Sequence, residues 1–123
     1  MAGDGRRPYR QHLGARGEAL AADWYVAAGY DVVARNWRCR EGELDLVVAR
    51  PGEVVFCEVK TRASDRFGVP AEAVTAAKRR RLRALAARFL AEHPAVSGSA
   101  RGNVRFDVAA VTASRVEVIE AAF

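Results

Sequence analysis

The stretch GELDLVVARPGEVVFCEVKT, residues 42–61, decides the fold. It reads as two short strands joined at Pro51-Gly52. With Arg50 paired to Glu53 across the turn, period-two alternation sets Leu44 against Val59, Leu46 against Cys57 and Val48 against Val55, giving one apolar face. The other face carries Glu43 opposite Lys60, Asp45 opposite Glu58 and Val47 opposite Phe56.

Two carboxylates so placed repel. Directly opposed Cβ atoms sit about 5 Å apart, and two like charges at that distance cost roughly 3 kcal/mol at an effective dielectric near 20. A favourable cross-strand pair returns only about 0.2–1 kcal/mol. A bound divalent cation would remove the repulsion, and two carboxylates plus waters suit Mg²⁺. Lys60 lies two residues beyond Glu58 on the same face, where it can orient or help deprotonate an attacking water. The bland alternative for the same spacing is a solvated sheet face with a Glu43–Lys60 pair.

The chain has 123 residues, half of them hydrophobic, which is enough for one domain with a real core. Twenty Lys and Arg against fifteen Asp and Glu give a net charge of +5, a balance that points to a polyanionic partner, nucleic acid first. Cys39 and Cys57 have neither metal-site spacing nor a disulfide framework, and Cys57 falls on the apolar face as a small core residue. No apolar run is long enough to span a membrane, and the N-terminus lacks an apolar signal core. These features predict a reduced, cytoplasmic protein with no membrane association.

Outward from the hairpin, residues 1–11 are polar and basic and read as a flexible arm; residues 12–123 form a single domain. A helix is expected from His12 to Ala28, with Leu13, Leu20, Trp24 and Ala27 as its apolar stripe and Gly29 as its stop. Residues 30–37 form the first strand and 38–42 a turn. Residues 62–70 read as a mobile loop broken by Gly68 and Pro70. A second helix spans about Ala71 to Glu92, with a break near Thr75; Val74, Leu82, Leu85 and Phe89 line its buried side. Residues 95–102 read as a small-residue loop. Strands at 103–112 and from 115 complete the order α-β-β-β-α-β-β, an α/β fold with a mixed sheet flanked by helices.

Three further features carry chemistry. Glu18 lies early in the first helix beside Ala21 and Tyr25, where a solvated, dipole-favoured acid is the ordinary reading. Lys78 falls in the middle of the apolar stripe of the second helix; lysines are rarely buried without a partner, so it either snorkels out or meets an anion, a site carboxylate or a phosphate. Arg79, Arg80, Arg81, Arg83 and Arg88 spread around the same helix, a solvated face whose field would attract phosphates. Neither His12 nor His93 has a catalytic partner in sequence; His93 near the helix end suits the dipole.

The run GARGEALAADWYVAAGYDVVARNWR, then GELDLVV, VVFCEVKTR, FG, the inward Lys78 and RFDVAAV resembles the YraN-like family of small bacterial proteins across roughly residues 12–123. That resemblance implies a restriction-endonuclease-like, PD-(D/E)XK fold similar to archaeal Holliday junction resolvases. It makes Asp45, Glu58 and Lys60 the motif residues, although Leu44 stands where the motif has its proline. It further implies that Asp45, Glu58 and the Val59 carbonyl hold Mg²⁺, with Mn²⁺ as an alternative, that Lys60 positions water, and that Glu18 joins the metal directly or through water.

The resulting expectation is a metal-dependent endonuclease acting on DNA, ahead of RNA, with branched or structured DNA as substrate. Arg62, Lys78, Arg79, Arg81 and Arg83 would grip its backbone. Cutting both strands of a junction needs two active sites, hence a homodimer. The alternative is a non-catalytic nucleic-acid-binding module on the same scaffold, working through a partner protein. A structural or adaptor role is a third reading, but it leaves the acid cluster and the inward Lys78 unexplained.

Overall fold

A computed structural model describes residues 9–62, 74–113 and 115–123, with side chains from Ala15 onward. Residues 1–8 of the expected 1–11 arm, 63–70 of the expected 62–70 loop and the expected helix start at 71–73 lie outside the described residues. Strands β1 (Asp31–Cys39), β2 (Gly42–Arg50), β3 (Glu53–Thr61), β4 (Val104–Val111) and β5 (Val116–Ile119) form one sheet in chain order. All neighbours are antiparallel except β3 and β4, which run parallel. The parallel pair requires a crossover, and helices α2 (Ala76–Glu92) and α3 (Pro94–Ala100) supply it. Helix α1 (Tyr9–Ala27) precedes the sheet. No helix among the described residues is long and apolar enough to cross a membrane.

Two apolar clusters sandwich the sheet. Helix α1 contributes Ala21, Ala22 and Tyr25 to one, with Leu46, Val48, Val55, Cys57, Ala109 and Val111 from the strands. Helix α2 contributes Leu82, Leu85, Ala86 and Phe89 to the other, above Leu44, Val47, Val54, Phe56, Phe106 and Val108. The hairpin register is as expected from Arg50–Glu53 to Leu46–Cys57, with Gly52 at φ +89° after Pro51. Thr75 caps α2, its hydroxyl accepting from the Lys78 N–H.

Four expectations are corrected. The buried side of α1 is Gly17, Ala21, Ala22 and Tyr25, while Leu20 and Trp24 lie at its margin and Ala27 is exposed. Small residues win this face because the helix packs close: a Cβ at Gly17 would overlap the Thr61 side chain on β3. Helix α1 also begins by Tyr9, three residues before the expected His12. The 95–102 loop is largely α3, whose first residue Pro94 has its φ preset for a helix; Val96 and Ala100 pack on the α2-side cluster.

Finally, Leu44 does not share the face of Leu46 and Val48 but joins the α2-side cluster. Strict alternation fails here because the β2–β3 ladder ends at Leu46–Cys57, and Asn36 on β1 takes a left-handed φ of 51°. Beyond that point the β1–β2 tip turns onto α2: Trp37 packs edge-on against Phe89 and Gly42 lies against Leu85.

Among the described residues no buried side-chain nitrogen or oxygen lacks a hydrogen-bond partner. Asp107, fully buried, accepts from the Tyr25 hydroxyl at 2.6 Å, the Arg105 guanidinium at 2.8 and 2.9 Å, and the Ala121 N–H at 3.0 Å. Arg105 continues to Glu53 at 2.6 Å. This network ties α1 to β4 and to the hairpin, and it is structural.

Candidate active site

The site forms where the β2–β3 ladder opens. Past Leu46–Cys57, β3 stays with β4 and β2 stays with β1, so Asp45 and Glu58 stand at the fork between them. In place of a ladder bond, the Val59 N–H donates to Asp45 Oδ2 at 2.9 Å. The two carboxyl groups are close enough that the Glu58 charge raises the Asp45 pKa. The pairing read from the sequence therefore brings the acids together, through side chains and not through continued main-chain pairing.

Electrostatics divides the pair. Glu58 is 6% exposed, and burial alone would raise its pKa. Two ammonium groups outweigh that: Lys78 pairs with Glu58 Oε2, and Lys60 Nζ lies 3.2 Å from the same oxygen, so Glu58 is held below the usual carboxylate range. Asp45 is pushed the other way, to about 7, by burial first and the neighbouring Glu58 charge second, with the Val59 N–H offsetting part. The single proton of the pair belongs on Asp45, because both lysines serve Glu58.

Glu18 enters from α1. Burial raises its pKa, Glu43 and Glu58 add to the rise, and a hydrogen bond from the Asn36 side chain opposes it. Asn36 lies between the Arg35–Leu46 and Trp37–Leu44 pairs, so it faces Asp45 along the β1–β2 ladder. Sequence reasoning missed it. Its signal was an Asn inside a strand, a residue type that tolerates the left-handed region and disfavours regular sheet. Lys60 and Glu43 do not pair as the bland reading supposed: Lys60 serves Glu58, and Glu43 takes Arg38 at 2.8 Å.

The basic residues divide. Lys78 reaches the acids. Arg79 donates to the Val74 carbonyl at 3.0 Å and lies over Phe123, while Arg83 lies over Phe106 and Phe123. Arg81 is exposed on a different side of α2, in a groove with Glu41, Leu85 and Arg88. Arg62, just past β3, donates its N–H to the Val111 carbonyl. Leu44, Phe56, Leu82, Phe106 and Phe123 line an apolar pocket against Asp45 and Glu58.

Among the described residues no group of three or more His, Cys, Asp or Glu is disposed to hold a metal. The donor set at the fork is two carboxylates, one of which retains a proton near neutrality. That set fits a hard divalent cation of the Mg²⁺ type, which binds through one or two carboxylates and keeps its waters; such a cation would replace the proton.

The sequence model of uncharacterised protein family UPF0102 matches residues 17–111, a span that includes Glu18, Asn36, Asp45, Glu58, Lys60 and Lys78. A UPF0102 protein of Frankia casuarinae is 53% identical over 116 residues, covering 90% of this chain and 95% of its own. One from Beutenbergia cavernae is 60% identical over 104 residues, 84% of each chain. One from Clavibacter michiganensis is 50% identical over 117 residues, 91% of this chain and 96% of its own.

Proposed function

The chain belongs to the UPF0102 family, and we propose that it is a metal-dependent endonuclease hydrolysing phosphodiester bonds in DNA. The scaffold would be of the restriction-endonuclease-like type, similar to archaeal Holliday junction resolvases. One observation carries this reading: Asp45 and Glu58 converge at the open end of a hairpin with Lys60 on Glu58. A purely structural fork would be served as well by an amide, which accepts from the Val59 N–H without setting a second carboxyl beside Glu58.

Asp45, Glu58 and the Val59 carbonyl would hold Mg²⁺ or Mn²⁺. With no group of three or more His, Cys, Asp or Glu disposed to hold a metal among the described residues, Glu18 would act through water. The cation supplies Lewis-acid stabilisation of developing phosphate charge and a more acidic water. Lys60, fixed by Glu58, orients the attacking water at the scissile phosphorus. The water oxygen joins phosphorus, one P–O ester bond breaks, and the departing oxygen is protonated. Arg79, Arg81, Arg83 and Arg62 offer positive charge to the backbone without reading bases. A homodimer would set two such sites on the two strands of a branched substrate.

The binding-only reading draws on one observation, the two lysines that already neutralise Glu58. Incubating the protein with labelled duplex, single-stranded, flap and four-way-junction DNA, and with matching RNA, in Mg²⁺, Mn²⁺ or EDTA separates the two. Cation-dependent cutting supports the nuclease and identifies its preferred structure. Binding without cutting under every condition favours the module.

A further inference from the structure

We infer that Lys78 is a displaceable internal cation: its ammonium occupies the acid site in the metal-free protein and passes to a substrate phosphate when a divalent ion takes Asp45 and Glu58. The inference rests on the metal-dependent reading of this site and adds a coupling between metal and nucleic acid that the reading alone does not contain.

Three observations carry it. First, Glu58 Oε2 receives two ammonium groups, Lys60 Nζ at 3.2 Å and Lys78. Lys60 comes from β3 itself, two residues from Glu58, so the strand already provides a counter-charge. Lys78 arrives from a separate element, and its side chain is 35% exposed where Glu58 is 5% exposed. A long side chain with one end in a buried pair and its flank in solvent can exchange partners without unfolding anything.

Second, Lys78 opens a run of four basic residues, Lys78 to Arg81, close to the start of α2, whose first turn holds no acid. The helix dipole disfavours positive charge there. Glu58 compensates Lys78 in the metal-free protein. Once a cation claims that carboxylate, the compensation must come from an anion outside the chain, and a backbone phosphate is the anion the proposed substrate brings to this fork.

Third, the placement is built. Thr75 Oγ1 accepts from the Lys78 N–H, which fixes the first turn of the helix. Val74, Leu82 and Leu85 bury the same side of the segment and set the distance from α2 to β3. Lys78 thus reaches Glu58 from a backbone held by a cap and by packing.

The exchange makes a definite prediction about metal affinity in the absence of nucleic acid. Titration calorimetry of Mn²⁺ and Mg²⁺ into the parent protein, Lys78→Met and Lys78→Gln should show both variants binding at least about fivefold more tightly, a gain of about 1 kcal/mol, because a competing charge is gone. In anisotropy titrations with Ca²⁺ present, the parent's affinity for its DNA should rise with the cation, and the variants should lose most of that gain. Circular dichroism selects whichever variant keeps the parent's helix content. Equal or weaker cation binding by the folded variant overturns the exchange and leaves the nuclease reading standing. Absence of cation binding in parent and variants alike overturns the metal site itself, and the exchange with it.

Discussion

The Val59 N–H donates to Asp45 Oδ2 at 2.9 Å at the point where the main-chain ladder between their strands has ended. A side chain thus takes the place of the missing ladder acceptor. The fork and the acid are consequently one feature: removing the carboxyl oxygen orphans a main-chain donor, whereas an amide preserves the acceptor.

Asp45→Asn should therefore fold and be more stable than the parent above neutral pH. The amide oxygen can accept from Val59 while its NH₂ donates to Glu58, mimicking the protonated acid. Asp45 titrates near 7 folded against 3.8 in the unfolded reference, so between those values the native state holds the extra proton and stability falls as pH rises. The loss is complete above about pH 7, with an upper bound of about 4 kcal/mol. Glu58, held low, acts oppositely, and its contribution disappears only as pH falls through its lowered value. Thermal melts from pH 4 to 8 without divalent ions should slope downward in the parent and be flatter in the variant; parallel curves would show that Asp45 is not the group responsible.

Asn36→Gly should keep the fold and move the acid limb of the pH–activity profile upward. Glycine adopts the left-handed φ of 51° without strain, while the hydrogen bond that favours ionised Glu18 is lost. With that bond gone, Glu18 keeps its proton to higher pH. An unshifted profile would assign Asn36 to the bend alone.

Lys60→Ala should abolish turnover yet leave metal affinity within a few-fold of the parent, since the carboxyl groups that would hold the cation, Asp45 and Glu58, are untouched. Calorimetry distinguishes the roles: a large loss of cation binding would mean Lys60 organises the acids and does not position water.

Gly17→Ala should destabilise by about 1–3 kcal/mol, the usual range for forcing volume into a packed contact, because its Cβ would overlap Thr61 Oγ1. Thr61→Ala in the same chain should recover most of the loss. Urea titrations of the two single variants and the double variant measure the coupling; strict additivity would show that the helix simply shifts.

The hairpin was legible because Pro51-Gly52 fixes one register and alternation propagates it, so the Leu46–Cys57 and Val48–Val55 pairs follow from residue types alone. Lys78 was legible because a cation in an apolar helical stripe demands a partner, and Glu58 is that partner. The break of alternation at Leu44 was not. It depends on where β2 parts from β3, which stays with β4 throughout, and on the tip of β1–β2 reaching Phe89 and Leu85, contacts distant in sequence. The face of α1 was misread for a related reason: Leu20 and Trp24 are the more hydrophobic residues, but closeness to Thr61 selects Gly17 and Ala21, and Tyr25 is drawn inward by Asp107. Helix α3 was hidden by its serines and glycine, and it is held by contacts with the hairpin turn, where Gly52 donates to the Ser99 carbonyl at 2.9 Å.

The most direct test compares cleavage by the parent and by Asp45→Asn on the DNA structure the parent cuts best, at saturating Mn²⁺ and with circular dichroism verifying both folds. The account predicts Mn²⁺-dependent scission by the parent, none in EDTA, and a rate at least about a hundredfold lower in the variant, the scale on which removing one essential catalytic interaction acts. Equal cutting by Asp45→Asn, or a folded parent that cuts no DNA with any divalent cation, would contradict it.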